Sequence, residues 1–295
     1  MLDFKKIGFD DFKTISSYLS AYPSRQCDRT PGALMMWRNH YDNRYAIYDG
    51  TIIFSSNFTG EVCFSMPIGR NIDGALNELE VYCKAKNLPM ILNSVNKNEL
   101  PLILEKYPDC VYSADRDWFD YLYEKEAILS LCGRKYSTQR NHINKFKKLY
   151  AGWNFEELNS ENIDEVIEFM KGFTFHSEKD ESAFDEADLC LEVLRSYDVY
   201  NALGGVLKVN GQVIGYSICE IIGDTFVCHI EKANTNFAGA YQMLTNQMLL
   251  HYANGYEVKY VNREEDCGDE GLRKSKLSYH PCELIEKNVI TIDLN

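Results

Sequence analysis

Three carboxylates and one phenol in the last third of the chain are residue types that could transfer an acyl group to an amine. An alkylammonium with a pKa of about 10.4 must lose its proton before it attacks, which costs about 4.6 kcal/mol at pH 7. A positioned carboxylate can accept that proton, and a phenol can protonate the leaving oxygen or sulfur. We therefore predict Glu231, Glu264 and Asp266 as candidate proton acceptors and Tyr279 as the proton donor.

Three of these four residues lie in one charged segment, VNREEDCGDEGLRKSKLSYHP at residues 261–281. Acidic residues in the first turn of a helix stabilise it through the helix dipole, which accounts for Asp269 and Glu270. The dipole does not account for the charged residues 263–266, which lie before the turn and must pair, bind a ligand or face water. The structural alternative is that the glutamates lie on a solvated face and that Tyr279 simply packs.

A second charged segment, GRKYSTQRNHINKFKKLY at residues 133–150, carries six cationic residues and no acidic one. Helical spacing places Tyr136, Ile143, Phe146 and Tyr150 near one face, so one interpretation is an amphipathic linker helix between two domains. The other is a phosphate-contacting patch, because arginine makes bidentate contacts to phosphate. For the binding of an anionic donor we predict Arg134, Lys135, Arg140, Asn141, Arg263, Arg273 and Lys274, with Gly239 and Asn262 in the cleft backbone.

The composition of the 295-residue chain, 45% hydrophobic and 13% aromatic, suffices for one large core or two ordinary ones, and we predict two domains. The formal net charge of -13 argues against a general binder of nucleic acid or anionic lipid. We expect no DNA partner, and contact with tRNA only through the local basic patch. Because no signal peptide or long apolar window is present, we expect a cytoplasmic protein without membrane insertion.

Cysteine and histidine spacing gives no metal motif. The ten cysteines are scattered without a C-x-x-C pair and mostly fall in apolar runs, so we expect reduced thiols. The six histidines form no H-E-x-x-H pattern, and His229 is expected to be a strand residue with satisfied hydrogen bonds. We therefore predict no metal site.

The two halves of the chain share five short similarities in the same order, which predicts a duplicated unit. Their separation changes along the chain, as expected if loops grew in one copy while buried elements kept their order. The pairs are GTII (50–53) with GQVI (211–214), EVCFSM (61–66) with FVCHIE (226–231), DGALNEL (73–79) with AGAYQML (238–244), MILN (90–93) with KYVN (259–262), and EKYPDCVY (105–112) with LSYHPCEL (277–284).

Hydrophobic periodicity predicts similar element orders in both copies. In the second copy, GGVLKVNGQVIGYSICEIIGDTFVCHIEKAN predicts three antiparallel strands with turns at Asn210-Gly211 and Gly223-Asp224. A strand near WNFEEL, a helix from about 160 and a helix at 182–197 precede it. A helix from Gly239 to about 252, a strand VKYVN, a short helix and a last strand ELIEKNVITIDL follow it. In the first copy we predict a helix from 10, strands between 44 and 66, a helix at 72–86, a strand at 90–94, a helix at 96–106 and strands between 110 and 123.

The resulting fold class is α+β, with mixed, mostly antiparallel sheets and flanking helices. We predict an N-terminal domain at 1–130, a basic linker helix at 131–150 and a C-terminal domain at 151–295. Both copies keep the strand-end asparagine, Asn93 or Asn262, which is therefore expected to be structural and to satisfy backbone groups where adjacent strands separate. Because the second copy alone carries the charged segment, we expect the first copy to be structural and the site to lie in the C-terminal half.

The element order resembles the GNAT acyltransferase fold, and the chain is similar to two such units in tandem. The segments GRKYSTQRNHINKFKK and VNREEDCGDEGLRKSKLSYHP resemble the uncharacterised bacterial family related to the C-terminal domain of phosphatidylglycerol lysyltransferase. The resemblance implies a duplicated fold shared more distantly with the Fem transferases of cell-wall synthesis, which take an amino acid from aminoacyl-tRNA. The lysyltransferase proper also has a membrane-embedded region, to which nothing in this chain corresponds.

Three functions remain open. The leading one is an acyl or aminoacyl transferase that moves an acyl group from an anionic donor, such as aminoacyl-tRNA, to an amine or hydroxyl. The second is a coenzyme A-dependent N-acetyltransferase. Enzymes of the family that the chain resembles share an R/Q-x-x-G-x-G/A loop, which holds the pyrophosphate of coenzyme A at a helix N-terminus. The corresponding segment here, NTNFAGAYQ, keeps Gly239 and Ala240 but lacks the initial arginine or glutamine. The third is a protein that binds a ligand without catalysis. No cofactor is certain; aminoacyl-tRNA and coenzyme A are the alternative donors.

Overall fold

The computed structural model describes residues 1–58, 60–174, 181–255 and 257–294, with side chains except at 174 and 181–185. The chain divides into two compact units, and both are discontinuous in sequence. The first unit contains Met1–Asp120, Glu265–Asp269 and Leu284–Asn295, and the second contains Tyr121–Glu264 and Glu270–Glu283.

This division differs from the predicted boundaries at 130 and 150. Residues 121–130 and the basic helix belong to the second unit, and the end of the chain belongs to the first unit. The difference arises because each unit takes strands that are distant in sequence, which local periodicity cannot reveal.

Fifteen strands are present in the described residues. They are β1 Lys5–Lys6, β2 Arg44–Tyr48, β3 Thr51–Phe58, β4 Glu61–Ser65, β5 Ile68–Gly69, β6 Met90–Asn96, β7 Val111–Ala114, β8 Asp120–Glu124, β9 Trp153–Glu157, β10 Leu203–Val209, β11 Gln212–Ile222, β12 Thr225–Ala233, β13 Tyr260–Asn262, β14 Glu283–Ile285 and β15 Lys287–Ile292.

Ten α-helices accompany these strands in the described residues, and short 3-10 turns precede several of them. A π-helical turn, Leu249–Ala253, continues α9. The α-helices are α1 Phe12–Ala21, α2 Pro31–Met36, α3 Ile72–Lys86, α4 Leu100–Lys106, α5 Lys125–Ser130, α6 Ser137–Leu149, α7 Ile163–Thr174, α8 Glu181–Arg195, α9 Ala240–Met248 and α10 Glu270–Leu277.

The first unit is built on a sheet with the order β1-β2-β3-β4-β6-β15-β7, and β5 pairs with β3. Helix α3 begins where the Asn71 side chain accepts a hydrogen bond from the N–H of Gly74, and it ends at Asn87 in the left-handed conformation. Its apolar side packs into the core of this unit with residues such as Leu76, Leu79 and Ile290. The predicted helix at 72–86 is confirmed.

The second sheet has the order β14-β8-β13-β12-β11-β10-β9. The predicted three-strand meander is confirmed as β10, β11 and β12, with antiparallel pairing throughout. Asn210 and Gly211 both have positive φ at the first turn, as a two-residue hairpin turn requires.

The two sheets repeat one another in topology, which confirms the predicted duplication. In each, three antiparallel strands (β2, β3, β4 or β10, β11, β12) lead to one parallel pairing, β4 with β6 or β12 with β13. The next strand is antiparallel and comes from a distant part of the chain, β15 beside β6 and β8 beside β13. The fold is α+β with two tandem GNAT-like units.

The predicted last strand, ELIEKNVITIDL, is wrong as a single strand. The structure divides it into β14 and β15, which lie in different sheets. The two strands are separated by the single residue Glu286, and only long-range pairing distinguishes them.

Candidate functional site

An opening in the second sheet lies where β12 and β13 separate. Their last paired residues are Val227 and Asn262, and β12 continues to Ala233 beyond this point. The Asn262 side chain accepts a hydrogen bond from the N–H of Glu264 at 2.6 Å, and Asn93 does the same for the N–H of Ser94 at 2.8 Å. The expectation that these asparagines satisfy backbone groups at a strand separation is confirmed.

A β-bulge places His229 at this opening. Ile218 pairs with Ile230 and Cys219 with Cys228, so His229 is the extra residue on β12. Its ring nitrogens lie 2.7 Å from Glu220 and 2.7 Å from Glu264. The ring is buried, and it is the satisfied strand residue that was predicted.

The two carboxylates keep the His229 imidazole protonated. Burial alone would lower its pKa, but the hydrogen bonds to Glu220 and Glu264 outweigh it and raise the pKa from 6.5 to about 10. Glu264 therefore faces an imidazolium. Glu264 has a positive φ of 56°, which shows that the local backbone is strained, as is common at functional sites.

We expect the stability of the protein to depend on the charge of His229. The folded pKa lies above the unfolded value, so this contribution is fully present below about pH 6.5 and is lost as pH rises through about 10. Between these limits the slope approaches about 1.4 kcal/mol per pH unit. Urea unfolding at pH 7.0 and 9.5 checks this, with His229→Gln as the comparison. Equal pH dependence in both proteins would contradict the assignment.

A second buried group lies on the same opening. The Arg263 guanidinium donates to Glu231, whose carboxylate also accepts a hydrogen bond from Thr245 Oγ1 at 2.5 Å. The Arg263 carbon Cζ lies 5.0 Å from the ring centroid of Tyr279. Among the described residues, the Arg263 Nη1 atom is buried without a hydrogen-bond partner. The group thus offers one unsatisfied, fixed donor.

Tyr279 remains a protonated phenol at neutral pH. Burial raises its pKa to about 12, although the Arg263 guanidinium opposes that shift. The side chain is 5% exposed, so the alternative of a packed tyrosine also describes it. A phenol that keeps its proton can donate it, as the predicted role requires.

A cavity of about 260 Å³ is formed in the same unit by α6, the start of α9 and α10. Its charged or polar lining comes from α6, the loop before α9, the start of α9 and α10, and consists of His142, Lys145, Thr235, Tyr241, Gln242 and Ser275. Helix α9 starts after its N-cap Gly239 without a side-chain cap. The N–H of Ala240 donates to the main-chain oxygen of Phe237 at 3.0 Å, whereas the N–H groups of Tyr241 and Gln242 have no partner within the helix and can face a ligand. The helix dipole adds positive potential at this end.

Only glycine suits position 239. Its φ is 89°, and an added Cβ would lie 2.5 Å from the main-chain oxygen of His142. This close approach brings α6 against the start of α9. The predicted cleft glycine therefore lines the cavity.

The cationic segment had two interpretations, an amphipathic helix and a phosphate-contacting patch, and its residues take different positions with respect to them. Tyr136, Ile143 and Phe146 are buried, as an amphipathic helix requires, and Lys145 lines the cavity. Arg140 instead donates to the main-chain oxygens of Leu131 and Gly133. One guanidinium nitrogen, Nη1, is thus held by the backbone, and the phosphate contact predicted for Arg140 stays a prediction.

The remaining predicted residues are not brought together. Arg134, Lys135, Asn141 and Lys274 are exposed, and Arg273 is half-buried. Asp266 belongs to the first unit, where it is fully buried and bound to Arg116 at 3.3 Å. Asp266 is therefore structural within that unit rather than part of the group around Arg263.

Sequence reasoning missed a buried charged cluster in the first unit. The Lys287 ammonium lies 2.6 Å from Asp28, 2.6 Å from Asp120 and 3.3 Å from Glu265. Cys27 Sγ lies 3.3 Å from the same ammonium. Sequence spacing could not reveal this cluster, because residues far apart in sequence supply it, among them Glu265 of the charged segment 261–281.

The positions of three side chains in this cluster would by themselves allow the binding of a metal ion. Ligand atoms of Cys27, Asp28 and Asp120 lie within 4.8 Å of one another. The Lys287 ammonium already contacts all three residues, and it supplies the positive charge that a metal would bring. The prediction of no metal site stays a prediction.

The duplicated topology and the opening between β12 and β13 define a tandem GNAT-like protein. The chain belongs to the family of phosphatidylglycerol lysyltransferase C-terminal domains, whose model matches residues 19–290. The predicted resemblance is confirmed.

Solved structures show the same fold. A conserved protein of unknown function from Bacteroides thetaiotaomicron is 27% identical, with TM-score 0.91, and the match covers 99% of this chain and 100% of that one. L-PGS from Bacillus licheniformis is 13% identical, with TM-score 0.69 and coverage of 95% and 91%. FemX is 10% identical, with TM-score 0.66 and coverage of 99% and 98%.

An uncharacterised protein of Mycoplasmoides gallisepticum is 25% identical over 180 residues, which are 59% of this chain. The match spans 56% of the length of that relative. Every helix in the described ranges is too short or too polar to cross a lipid bilayer.

Proposed function

We propose that the chain is an acyl or aminoacyl transferase whose second unit binds an anionic donor, with aminoacyl-tRNA as the leading donor. The acceptor is an amine or a hydroxyl. The observation that carries the proposal is the cavity where Lys145 and the uncapped start of α9 meet. Membership in a lysyltransferase family supports an aminoacyl group as the transferred unit.

The donor phosphate is assigned to this cavity for electrostatic reasons. A helix N-terminus offers N–H groups and a positive dipole to an anion, and Lys145 adds a full charge. A local site of this kind is needed because the chain carries a net charge of -13 and repels polyanions elsewhere.

The transfer centre is assigned to the Arg263 group, which two helices connect to the cavity. Tyr241 lines the cavity. Thr245 lies one turn, or about 6 Å, further along α9, and its hydroxyl donates a hydrogen bond to Glu231. On the other side, Ser275 lines the cavity, and the chain reaches Tyr279 just after α10 ends.

The reaction joins the acceptor nitrogen or oxygen to the acyl carbon and breaks the bond from that carbon to the donor oxygen. Negative charge develops on the carbonyl oxygen, and the unsatisfied Arg263 Nη1 is a fixed donor for it. Tyr279 protonates the leaving oxygen. Glu264 accepts the proton of the nucleophile, because its 22% exposure exceeds the 12% of Glu231 and the 0% of Asp266.

Coenzyme A is the second candidate donor. Gly239, with its positive φ before a helix in the cavity wall, favours this alternative, because it keeps part of the loop that holds pyrophosphate in the GNAT proteins that the chain resembles. The lack of an arginine or glutamine at the start of that loop disfavours it.

Reversing the charge of Lys145 should weaken donor binding about 10–100-fold, as expected for loss of a charged contact to phosphate. Lys148→Glu is the matched control, because Lys148 is exposed on the same helix. The measurements are the rise in melting temperature with lysyl-tRNA or with coenzyme A, and acyl transfer from lysyl-tRNA or acetyl-coenzyme A to amines.

Each outcome of this test has a distinct meaning. A shift with lysyl-tRNA that Lys145→Glu removes and Lys148→Glu keeps supports the leading proposal. A shift and transfer with the coenzyme A donor alone would favour the acetyltransferase. The non-catalytic alternative would be supported, and the proposal overturned, if neither donor gave transfer and if Glu264→Ala and Tyr279→Phe left ligand binding unchanged.

A further inference from the structure

Two thiols face each other across β11 and β12. Cys219 and Cys228 are directly opposed residues in the antiparallel register, one step before the bulge at His229. Directly opposed residues have Cα atoms about 4.5 or 5.5 Å apart, and both values lie in the range of about 4.4–6.8 Å found for disulfides. Their backbones are therefore already placed for a cross-strand bond.

The side chains also meet. Ser217 Oγ lies 3.3 Å from the sulfur of Cys219 and 3.5 Å from the sulfur of Cys228, so one hydroxyl contacts both thiols. Ser217 itself is held in place by donating to the main-chain oxygen of Ile230 at 2.8 Å. All three side chains thus point to the same side of the sheet.

The two sulfurs differ in access. Cys219 is fully buried, and Cys228 is half-buried. Burial raises the pKa of the Cys219 thiol well above its usual value, so this sulfur stays protonated until it attacks an adjacent sulfenic acid and passes its proton to the departing hydroxyl. An oxidant therefore meets Cys228 first, and Cys219 is the adjacent partner that can resolve the product.

We propose that Cys219 and Cys228 form a redox-modification site that peroxide or a small disulfide converts to a cross-strand disulfide. With hydrogen peroxide, the Cys228 thiol becomes a sulfenic acid and one water is released. The Cys219 sulfur then attacks the Cys228 sulfur, the sulfur–oxygen bond breaks, and a second water leaves. The two thiols lose two electrons and two protons in total, and one peroxide is reduced to two waters. With a small disulfide, Cys228 forms a mixed disulfide and releases one thiol, and Cys219 then displaces the second thiol, so the small disulfide is reduced to two thiols.

The cysteine pair lies next to the Arg263 group along β11 and β12. Ser217, which contacts both sulfurs, is the strand partner of Glu231, and Glu231 accepts a hydrogen bond from Arg263. A disulfide would fix the two strands beside the bulge and remove the thiol contacts of Ser217. The proposal itself does not depend on the function assigned to that group.

The test uses the full chain with the exposed cysteines Cys132, Cys267 and Cys282 replaced by serine, so that intermolecular disulfides are suppressed. After treatment with hydrogen peroxide, or with glutathione disulfide in a parallel sample, the protein is unfolded, alkylated and digested for mass spectrometry. We expect a linked peptide pair containing Cys219 and Cys228, the loss of two alkylatable thiols per chain, and full recovery after dithiothreitol.

Matched variants separate this pair from general oxidation. Cys228→Ser and Cys219→Ala should each abolish the linked peptide, so the result does not depend on one variant folding well. Cys190→Ala, which alters a buried cysteine of α8, should leave it unchanged. The proposal is overturned if Cys228 proceeds to sulfinic acid while Cys219 stays alkylatable, or if either cysteine links mainly to a different partner.

Discussion

Lys287→Met should lower the free energy of unfolding by about 3–5 kcal/mol, the usual cost of removing one partner from a buried ion pair. The Lys287 side chain is 5% exposed and contacts Asp28, Asp120 and Glu265 within 3.3 Å. Methionine fills a similar volume, so the loss reports the missing charge rather than a cavity. Chemical denaturation at pH 8 measures it.

The same loss should be smaller at low pH. In the native protein, burial raises the pKa of Asp120 to about 6, while Lys287 opposes the rise and Glu265 and Asp28 add to it. Because the folded pKa exceeds the unfolded value, the protonated carboxyl contributes stability that is present at low pH and lost as pH rises through about 6. Without Lys287 more of the cluster can take up protons, so the defect at pH 5 should be less than that at pH 8.

Two variants control for this result. Lys287→Met with Asp120→Asn removes one excess negative charge and should recover part of the stability at pH 8. Lys86→Met, at an exposed position, should change stability by less than about 0.5 kcal/mol. A Lys287→Met defect that is independent of pH, or no recovery in the double variant, would show that the cluster is not held by charge.

Elements that depend on local sequence could be predicted, and elements that depend on distant partners could not. Helix α3 and the β10–β12 meander carry their own periodicity and turn residues, so the sequence sufficed for their bounds within a few residues. The separate destinations of β14 and β15 required knowledge of which sheet each strand joins.

The same distinction applies to the candidate site. Gly239 and Asn262 could be found because a glycine before a helix and a repeated strand-end asparagine are local signals. The pairing of Arg263 with Glu231 links residues 32 positions apart, and Lys287 and Cys27 are 260 positions apart. No spacing rule connects such residues, although an unpaired lysine in an apolar strand is a signal that a buried anion must exist.

Variants of the Arg263 and Glu231 pair allow a structural role to be separated from a role in the proposed acyl transfer. Arg263→Met should cost about 3–5 kcal/mol, because it leaves the buried Glu231 carboxylate without its cation, and it should abolish acyl transfer. Glu231→Gln should also destabilise the protein, because the buried guanidinium loses its anion. Urea denaturation and single-turnover transfer measure the two effects separately.

The double variant Arg263→Met with Glu231→Gln removes both charges, so no uncompensated ion remains and most of the lost stability should return. Transfer should stay absent, since no donor then replaces Arg263 Nη1 at the developing oxyanion. A folded double variant that regains transfer would assign the pair to structure alone. A double variant that is stable and still binds donor at the Lys145 cavity, but does not transfer the acyl group, would locate the chemistry at Arg263. This conclusion would hold because folding, donor binding and the transfer step would each have been measured in the same protein.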